Sequence, residues 1–144
     1  MTGPEQAILK RIGDEGCYLL SLKRAADRFN QGDCAFDILD LYDRMTKTRI
    51  DDKPIMEKDC YLNQAEIALA VMTGVKWKLT HEAADYKQVH GEIVVVRYEW
   101  KGINNTTSHF VLQLEDGSIY DPLGWSNTVA NGKRVSTRVF RRVL

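Results

Sequence analysis

Three residues of the chain, Cys17, His109 and Asp121, carry side chains that form a nucleophilic site when they meet. Cys17 follows the glycine-bearing residues 13–16 and opens a segment whose apolar residues recur at helical spacing. We therefore expect a helix with Cys17 in its first turn. Free backbone N–H groups and the positive end of the helix dipole favour a thiolate at such a position. The thiol is a candidate nucleophile, provided that another part of the chain supplies a base.

The segment from His109 to Asp121 predicts that base and a carboxylate to orient it. The pair Asp116-Gly117 is a strong hairpin signal between two strand-like runs. In an antiparallel pair, His109 at the start of one strand and Asp121 at the end of the next lie near the same end of the sheet. Asp121 then accepts a hydrogen bond from one imidazole nitrogen, and the other nitrogen is aimed at the nucleophile. Taken singly, the three residues are also compatible with a small buried thiol, a satisfied strand histidine and an ordinary turn residue.

The elements that position these residues are helical in the first half of the chain and extended in the second. Residues 4–12 predict a short helix, residues 13–16 a loop, and the helix that begins at Cys17 runs to about Asn30. Two further helices are expected, the first capped by Asp33 and the second by Asn63, with Gly74 ending the second. Strand patterns follow over residues 75–79, 92–100, 108–114, 118–120 and 135–143. The basic, alternating residues 138–142 predict an edge strand with a charged outer face rather than a nucleic-acid patch. The expected fold is a single α+β domain over residues 1–144, in which a helical part, 1–74, packs on an antiparallel sheet, 75–144.

Composition indicates an ordinary globular protein without a charged partner. Apolar residues make up 44% of the chain, and 20 basic residues balance 20 acidic ones, so we expect neither nucleic acid nor an anionic membrane as partner. No apolar run reaches the length of a membrane span, and the N-terminus lacks the pattern of a secretory signal. The expected location is the cytoplasm of a bacterial cell or of an infected host. Cys34 and Cys60 are expected to be reduced structural thiols, and the spacing of the cysteines and histidines predicts no metal site.

In its chemistry-bearing segments the chain resembles the papain-like cysteine peptidases. These peptidases share the same order along the chain: a cysteine at the head of the first long helix, a histidine on a strand, and an aspartate after the following strand. The motifs Ser-His-Phe-Val-Leu, starting at Ser108, and Tyr-Asp-Pro-Leu-Gly, starting at Tyr120, are similar to those of the compact, bacteriocin-processing C39-like peptidases. The motif Gly-Cys-Tyr at Gly16 also resembles small proteins of this type from spirochaetes and bacteriophages.

The resemblance implies a papain-like fold and an acyl-enzyme mechanism on a protein or peptide substrate without a cofactor. Cys17 is then the nucleophile, His109 the general base and acid, and Asp121 the residue that orients His109. Acyl transfer of the transglutaminase type uses the same triad. A catalytically silent domain that binds a protein partner, for example a phage factor acting on a host protein, is a further alternative.

The sequence alone does not decide the roles of two residues near the expected site, Arg11 and Trp125. The family's oxyanion-binding Gln, about six residues before the cysteine, is replaced by Arg11, which leaves the Cys17 backbone N–H and Arg11 itself as candidate donors. Trp125 follows the aspartate motif and is a candidate for the substrate cleft, or for an aromatic residue that covers the core.

Overall fold

The computed structural model describes residues 2–32 and 37–144, so that Asp33 and Cys34 lie outside the described residues. The helices in chain order are α1 (Gly3–Glu15), α2 (Cys17–Phe29), α3 (Ile38–Lys47), α4 (Ala65–Thr73) and α5 (Asn127–Asn131). The strands are β1 (Arg49–Ile50), β2 (Lys53–Pro54), β3 (Trp77–Glu82), β4 (Ile93–Lys101), β5 (Thr106–Gln113), β6 (Ile119–Tyr120) and β7 (Lys133–Arg142). The α+β class and the antiparallel sheet are confirmed.

The junction between α1 and α2 differs from the predicted loop. The helix α1 continues through Gly13 to Glu15, and only Gly16 separates it from α2. The Gly16 N–H donates to the Ile12 carbonyl at 2.7 Å, which closes α1 while the chain turns into the next helix. A Cβ on Gly16 would lie 2.5 Å from that carbonyl oxygen, so the approach requires glycine. The contacts of α1 outweigh the free-energy cost of placing Gly13 in a helix interior. The helix therefore continues through Gly13, and the predicted loop is wrong.

The next two helices begin at residues other than those expected. Asp37 caps α3 by accepting from the Asp40 N–H at 2.9 Å. Gln64, not Asn63, occupies the N-cap position of α4, because the Asn63 side chain donates to the Pro54 carbonyl at 3.0 Å instead. Gly74 ends α4 in the left-handed region, at φ 77°, as predicted.

The described residues form a five-stranded antiparallel sheet in the order β3-β7-β4-β5-β6. The expected hairpin between β5 and β6 is confirmed, with Gly117 at φ 89° in its turn. The predicted edge position of the C-terminal strand is wrong, because β7 pairs with β3 on one side and with β4 on the other. Alternation along a strand reports which faces its side chains occupy, not which strands flank it. The helix α5 and the short hairpin β1-β2 lie outside the predicted elements.

Apolar side chains pack on both faces of this sheet. Helices α1 to α4 share a core with the sheet residues Ile93, Val95, Leu112 and Phe140. On the opposite face, a smaller cluster around Val94, Val96 and Val139 packs against Val129 of α5. In the part of the chain that the structure describes, no helix has both the length and the apolar character that crossing a bilayer requires.

Candidate active site

Cys17 is the first residue of α2 and is partly buried. Gly16, the residue at the N-cap, has no side chain with which to satisfy the N–H groups of the first turn. Two contacts fix this helix end on β5: the Tyr18 and Phe110 rings stack at 4.5 Å, and the Ser21 hydroxyl donates a long hydrogen bond of 3.5 Å to the Phe110 carbonyl. The head of α2 is thereby held beside the strand that carries His109.

His109 lies on β5 and Asp121 directly after β6, and their side chains meet. Nε2 of His109 and Oδ1 of Asp121 are 2.6 Å apart, and each side chain is only 7% exposed. The Cys17 and His109 side chains line the same cleft, and Cys17 is close enough to raise the pKa of His109. The structure therefore brings the three predicted residues together, and their catalytic roles stay a prediction.

The electrostatics of this group favour an ion pair between imidazole and carboxylate. Burial lowers the pKa of His109, but its interactions with the Cys17 and Asp121 side chains outweigh that effect, so that the pKa lies above its usual 6.5. Burial raises the pKa of Asp121, but hydrogen bonds from His109, Leu123 and Ser126 bring it below its usual 3.8. Near neutral pH, Asp121 is thus an anion that stabilises a proton on His109.

Ser126 completes the surroundings of Asp121 and was not singled out by the sequence. Its hydroxyl donates to Oδ2 of Asp121 at 2.8 Å and accepts from the Val129 N–H at 3.3 Å, which makes it the N-cap of α5. The Leu123 N–H donates to Oδ1 at 2.9 Å. A serine that precedes a short helix, five residues after the aspartate, is the signal that was available for this contact.

A cleft of about 600 Å³ opens beside the Cys17 and His109 side chains. Its lining includes Asp14 and Glu15 of α1, and Asp59 between β2 and α4. Leu79 and His81 of β3, Ser108 of β5 and Arg138 of β7 line its wall on the sheet side. Cys17 and His109 therefore both border a cleft that is open to solvent.

Two of the other expected site residues lie apart from this cleft. Arg11 is exposed on α1, where its guanidinium donates to the Lys58 carbonyl at 3.4 Å. Trp125 is 68% exposed, so the alternative in which it covers the core is wrong. Neither belongs to the described residues that line the cleft. Their proposed contacts with a substrate or an oxyanion stay predictions.

Cys60 lies in the same cleft, which nothing in its sequence neighbourhood indicated. It is 3% exposed, and burial raises the pKa of its thiol to about 11. Cys17 and Cys60 are both free thiols. Within the described ranges, no group of three or more His, Cys, Asp or Glu side chains is placed to hold a metal ion.

Comparisons with known proteins give a family without an assigned activity. No curated protein and no solved structure matches the chain. A protein-family model, described as "Protein of unknown function, DUF261", matches residues 2–142. Because this match spans almost the whole chain, the protein belongs to that family.

Proposed function

We propose that the protein is a thiol hydrolase that cleaves an amide or isopeptide bond through an acyl-enzyme. The observation that carries the proposal is the pair of His109 and Asp121, 2.6 Å apart, in the same site as Cys17 at the head of α2. A cysteine, a base and an orienting carboxylate in this order are the parts that nucleophilic catalysis requires. The cleft beside the thiol supplies the space for a substrate.

Each residue has a defined role in the proposed reaction. Because Nε2 of His109 is held by Asp121, Nδ1 is the nitrogen that takes the Cys17 proton. The sulfur attacks the carbonyl carbon, and His109 then gives its proton to the leaving amine, so that a thioester remains on Cys17. Water, deprotonated by His109, hydrolyses the thioester and restores the thiol. The first-turn N–H groups of α2, including that of Cys17, are the candidate donors to the developing oxyanion.

The arrangement also supports a papain-like fold. A helix whose first residue is the cysteine packs on an antiparallel sheet, the histidine lies on a strand of that sheet, and the aspartate follows the next strand. This is the order in the family that the sequence resembles. The reduced thiol that the chemistry needs favours the cytoplasm as its location.

A silent, partner-binding domain is the second candidate, and the position of Arg11 favours it. Its guanidinium contacts the Lys58 carbonyl instead of lining the cleft, so it does not replace the missing Gln side chain. Loss of one oxyanion donor typically slows acylation by about 100–1000-fold. A domain with this defect retains the triad geometry and the cleft but turns over poorly.

Acylation by 4-nitrophenyl acetate tests the proposed function without knowledge of the substrate. We expect a stoichiometric burst of nitrophenolate and one acetyl group, located on Cys17 by peptide mass spectrometry. Cys17→Ala abolishes the burst, and His109→Ala slows it by roughly 100-fold or more. The matched control Cys60→Ala leaves the burst unchanged. A folded wild-type protein that shows no burst supports the silent domain, and acetylation at Cys60 instead of Cys17 contradicts the proposal.

A further inference from the structure

A single guanidinium, that of Arg138, lines the sheet-side wall of the cleft. The side chain is partly buried, and its Cζ lies 5.1 Å from the centre of the Phe110 ring. Phe110 in turn stacks on Tyr18 at 4.5 Å. These two aromatic residues directly follow His109 and Cys17 in the chain. Arg138 therefore contacts Phe110, whose ring stacks on that of Tyr18, the residue next to the proposed nucleophile Cys17.

No carboxylate neutralises this guanidinium among the residues that the structure describes. Its hydrogen bond goes to the Ser136 hydroxyl, and its ring contact is with Phe110. Two other arginines of the sheet have acidic partners: Arg97 pairs with Glu99 at 3.3 Å, and Arg141 pairs with Glu92 at 2.8 Å. Removing a charged group from water without a counter-charge is unfavourable, so such a residue indicates a partner that arrives from outside the chain.

We propose that Arg138 is a specificity-determining residue that binds a carboxylate of the substrate in the Cys17 cleft. The inference rests on the proposed function, because it assigns a substrate class to that same site. A planar guanidinium forms paired hydrogen bonds with a carboxylate, which gives both affinity and orientation. The substrate class is therefore a peptide with an acidic side chain, or a free C-terminal carboxylate, close to the scissile bond.

Three carboxylates also line the cleft, so the stabilisation of an anionic group is confined to the surroundings of Arg138. Asp14, Glu15 and Asp59 carry these carboxylates, and Lys10 pairs with Asp14 at 2.6 Å outside the cleft. An anionic group is repelled near these carboxylates, so Arg138 is the residue of the cleft lining at which a substrate carboxylate is stabilised.

Matched alkylating dipeptides test the proposal without requiring hydrolysis. The probes are iodoacetyl-Gly-Glu-amide, its neutral isostere iodoacetyl-Gly-Gln-amide, and iodoacetyl-Gly-Gly with a free carboxylate. The measured quantity is the rate of Cys17 alkylation, followed by intact mass and peptide mapping at low ionic strength. We expect one of the anionic probes to react about tenfold faster than the neutral probe, the ratio given by one charge-assisted hydrogen bond. The faster of the two anionic probes distinguishes a side-chain carboxylate from a C-terminal one.

Substitution of Arg138 gives the second arm of the test. Arg138→Gln brings the ratio of the anionic-probe rate to the neutral-probe rate down to about one, whereas Arg138→Lys keeps part of the preference. Arg142→Gln is the matched control on the same strand, because its guanidinium lies over Phe29, away from the cleft. Equal rates with all three probes on the wild-type protein overturn the proposal. A charge preference without turnover of any ester or amide supports it while contradicting the proposed hydrolysis.

Discussion

At the scale of single residues, the site is a buried chain of donors and acceptors in which both oxygens of Asp121 are occupied. Oδ1 accepts from His109 and from the Leu123 N–H, and Oδ2 accepts from the Ser126 hydroxyl. A carboxylate held at both oxygens cannot rotate away from the imidazole, so the ring is fixed with Nε2 toward Asp121. The orientation of His109 thus depends on Ser126, a residue that contacts neither Cys17 nor the cleft.

Ser126→Ala tests this dependence. We expect the rate of Cys17 acylation to fall by about tenfold, because one of the three hydrogen bonds that hold Asp121 is lost. The free energy of unfolding should fall by about 1 kcal/mol, since Ser126 also caps α5. Ser118→Ala is the control: the Ser118 hydroxyl likewise donates to an aspartate, Asp116, but in the exposed hairpin turn. An acylation rate equally unaffected by both substitutions contradicts a positioning role for Ser126.

The ion pair between His109 and Asp121 also predicts a pH-dependent stability. The pKa of His109 is raised in the folded protein, so the folded state binds the proton more tightly than the unfolded state. That contribution is fully present below the unfolded value of about 6.5 and is lost as the pH rises through the folded value. Asp121, whose pKa is depressed, remains ionised throughout this window.

Asp121→Asn should therefore cost more stability in acid than in base. We expect a loss of about 2 kcal/mol at about pH 5.5, where His109 is charged, and a smaller loss at about pH 8.5. Urea unfolding of both proteins at the two pH values measures this difference. Asp116→Asn serves as the control, because no histidine contacts that exposed carboxylate and its effect should not change over this range. A cost of Asp121→Asn that is constant with pH contradicts the ion pair.

At the scale of secondary structure, the position of Cys17 depends on the one-residue junction between α1 and α2. The two helices share Gly16 as the C-cap of one and the N-cap of the other. Its backbone packs against Ile12, so the end of α1 sets where α2 begins. A displacement of this junction moves the thiol relative to His109 on β5.

Gly16→Ala and Gly13→Ala form a matched pair for this claim. A methyl group on Gly16 meets the Ile12 carbonyl oxygen at 2.5 Å, whereas one on Gly13 meets nothing within 4 Å. We expect Gly16→Ala to lower the free energy of unfolding by about 1–3 kcal/mol and to slow Cys17 acylation. Gly13→Ala should raise the free energy of unfolding by about 0.5–1 kcal/mol and leave acylation unchanged. Acylation that is normal in a folded Gly16→Ala variant rules out the dependence on the junction.

Short sequence patterns predicted the elements that are determined by residues close together in the chain. The amphipathic spacing after Cys17 identified α2, and Asp116-Gly117 identified the hairpin that brings His109 and Asp121 together. The junction at Gly16 was missed because the loss of helix propensity at Gly13 is small beside the contacts that fold α1 through it. The helix α5 was missed because its five residues are too few for a periodic signal.

At the scale of the whole molecule, the cleft joins residues that no sequence pattern connects. Cys60 and Arg138 lie in the same cleft as Cys17, although one follows β2 and the other belongs to β7. The placement of Arg138 depends on the strand order, in which β7 is inserted between β3 and β4. Pairing between strands distant in the chain is decided by the packing of both sheet faces, which a single sequence does not display.

Alkylation of the native protein by iodoacetamide near neutral pH tests most directly whether Cys17 is an activated nucleophile. Cys60 is buried in the same cleft and has a thiol pKa of about 11, so only about one molecule in ten thousand carries its thiolate. We expect Cys17 to react more than about tenfold faster than Cys34 or Cys60, and His109→Ala to remove that difference. The control His81→Ala, at another residue that lines the cleft, should preserve it. Equal, slow alkylation of all three cysteines, unchanged by His109→Ala, would contradict the account.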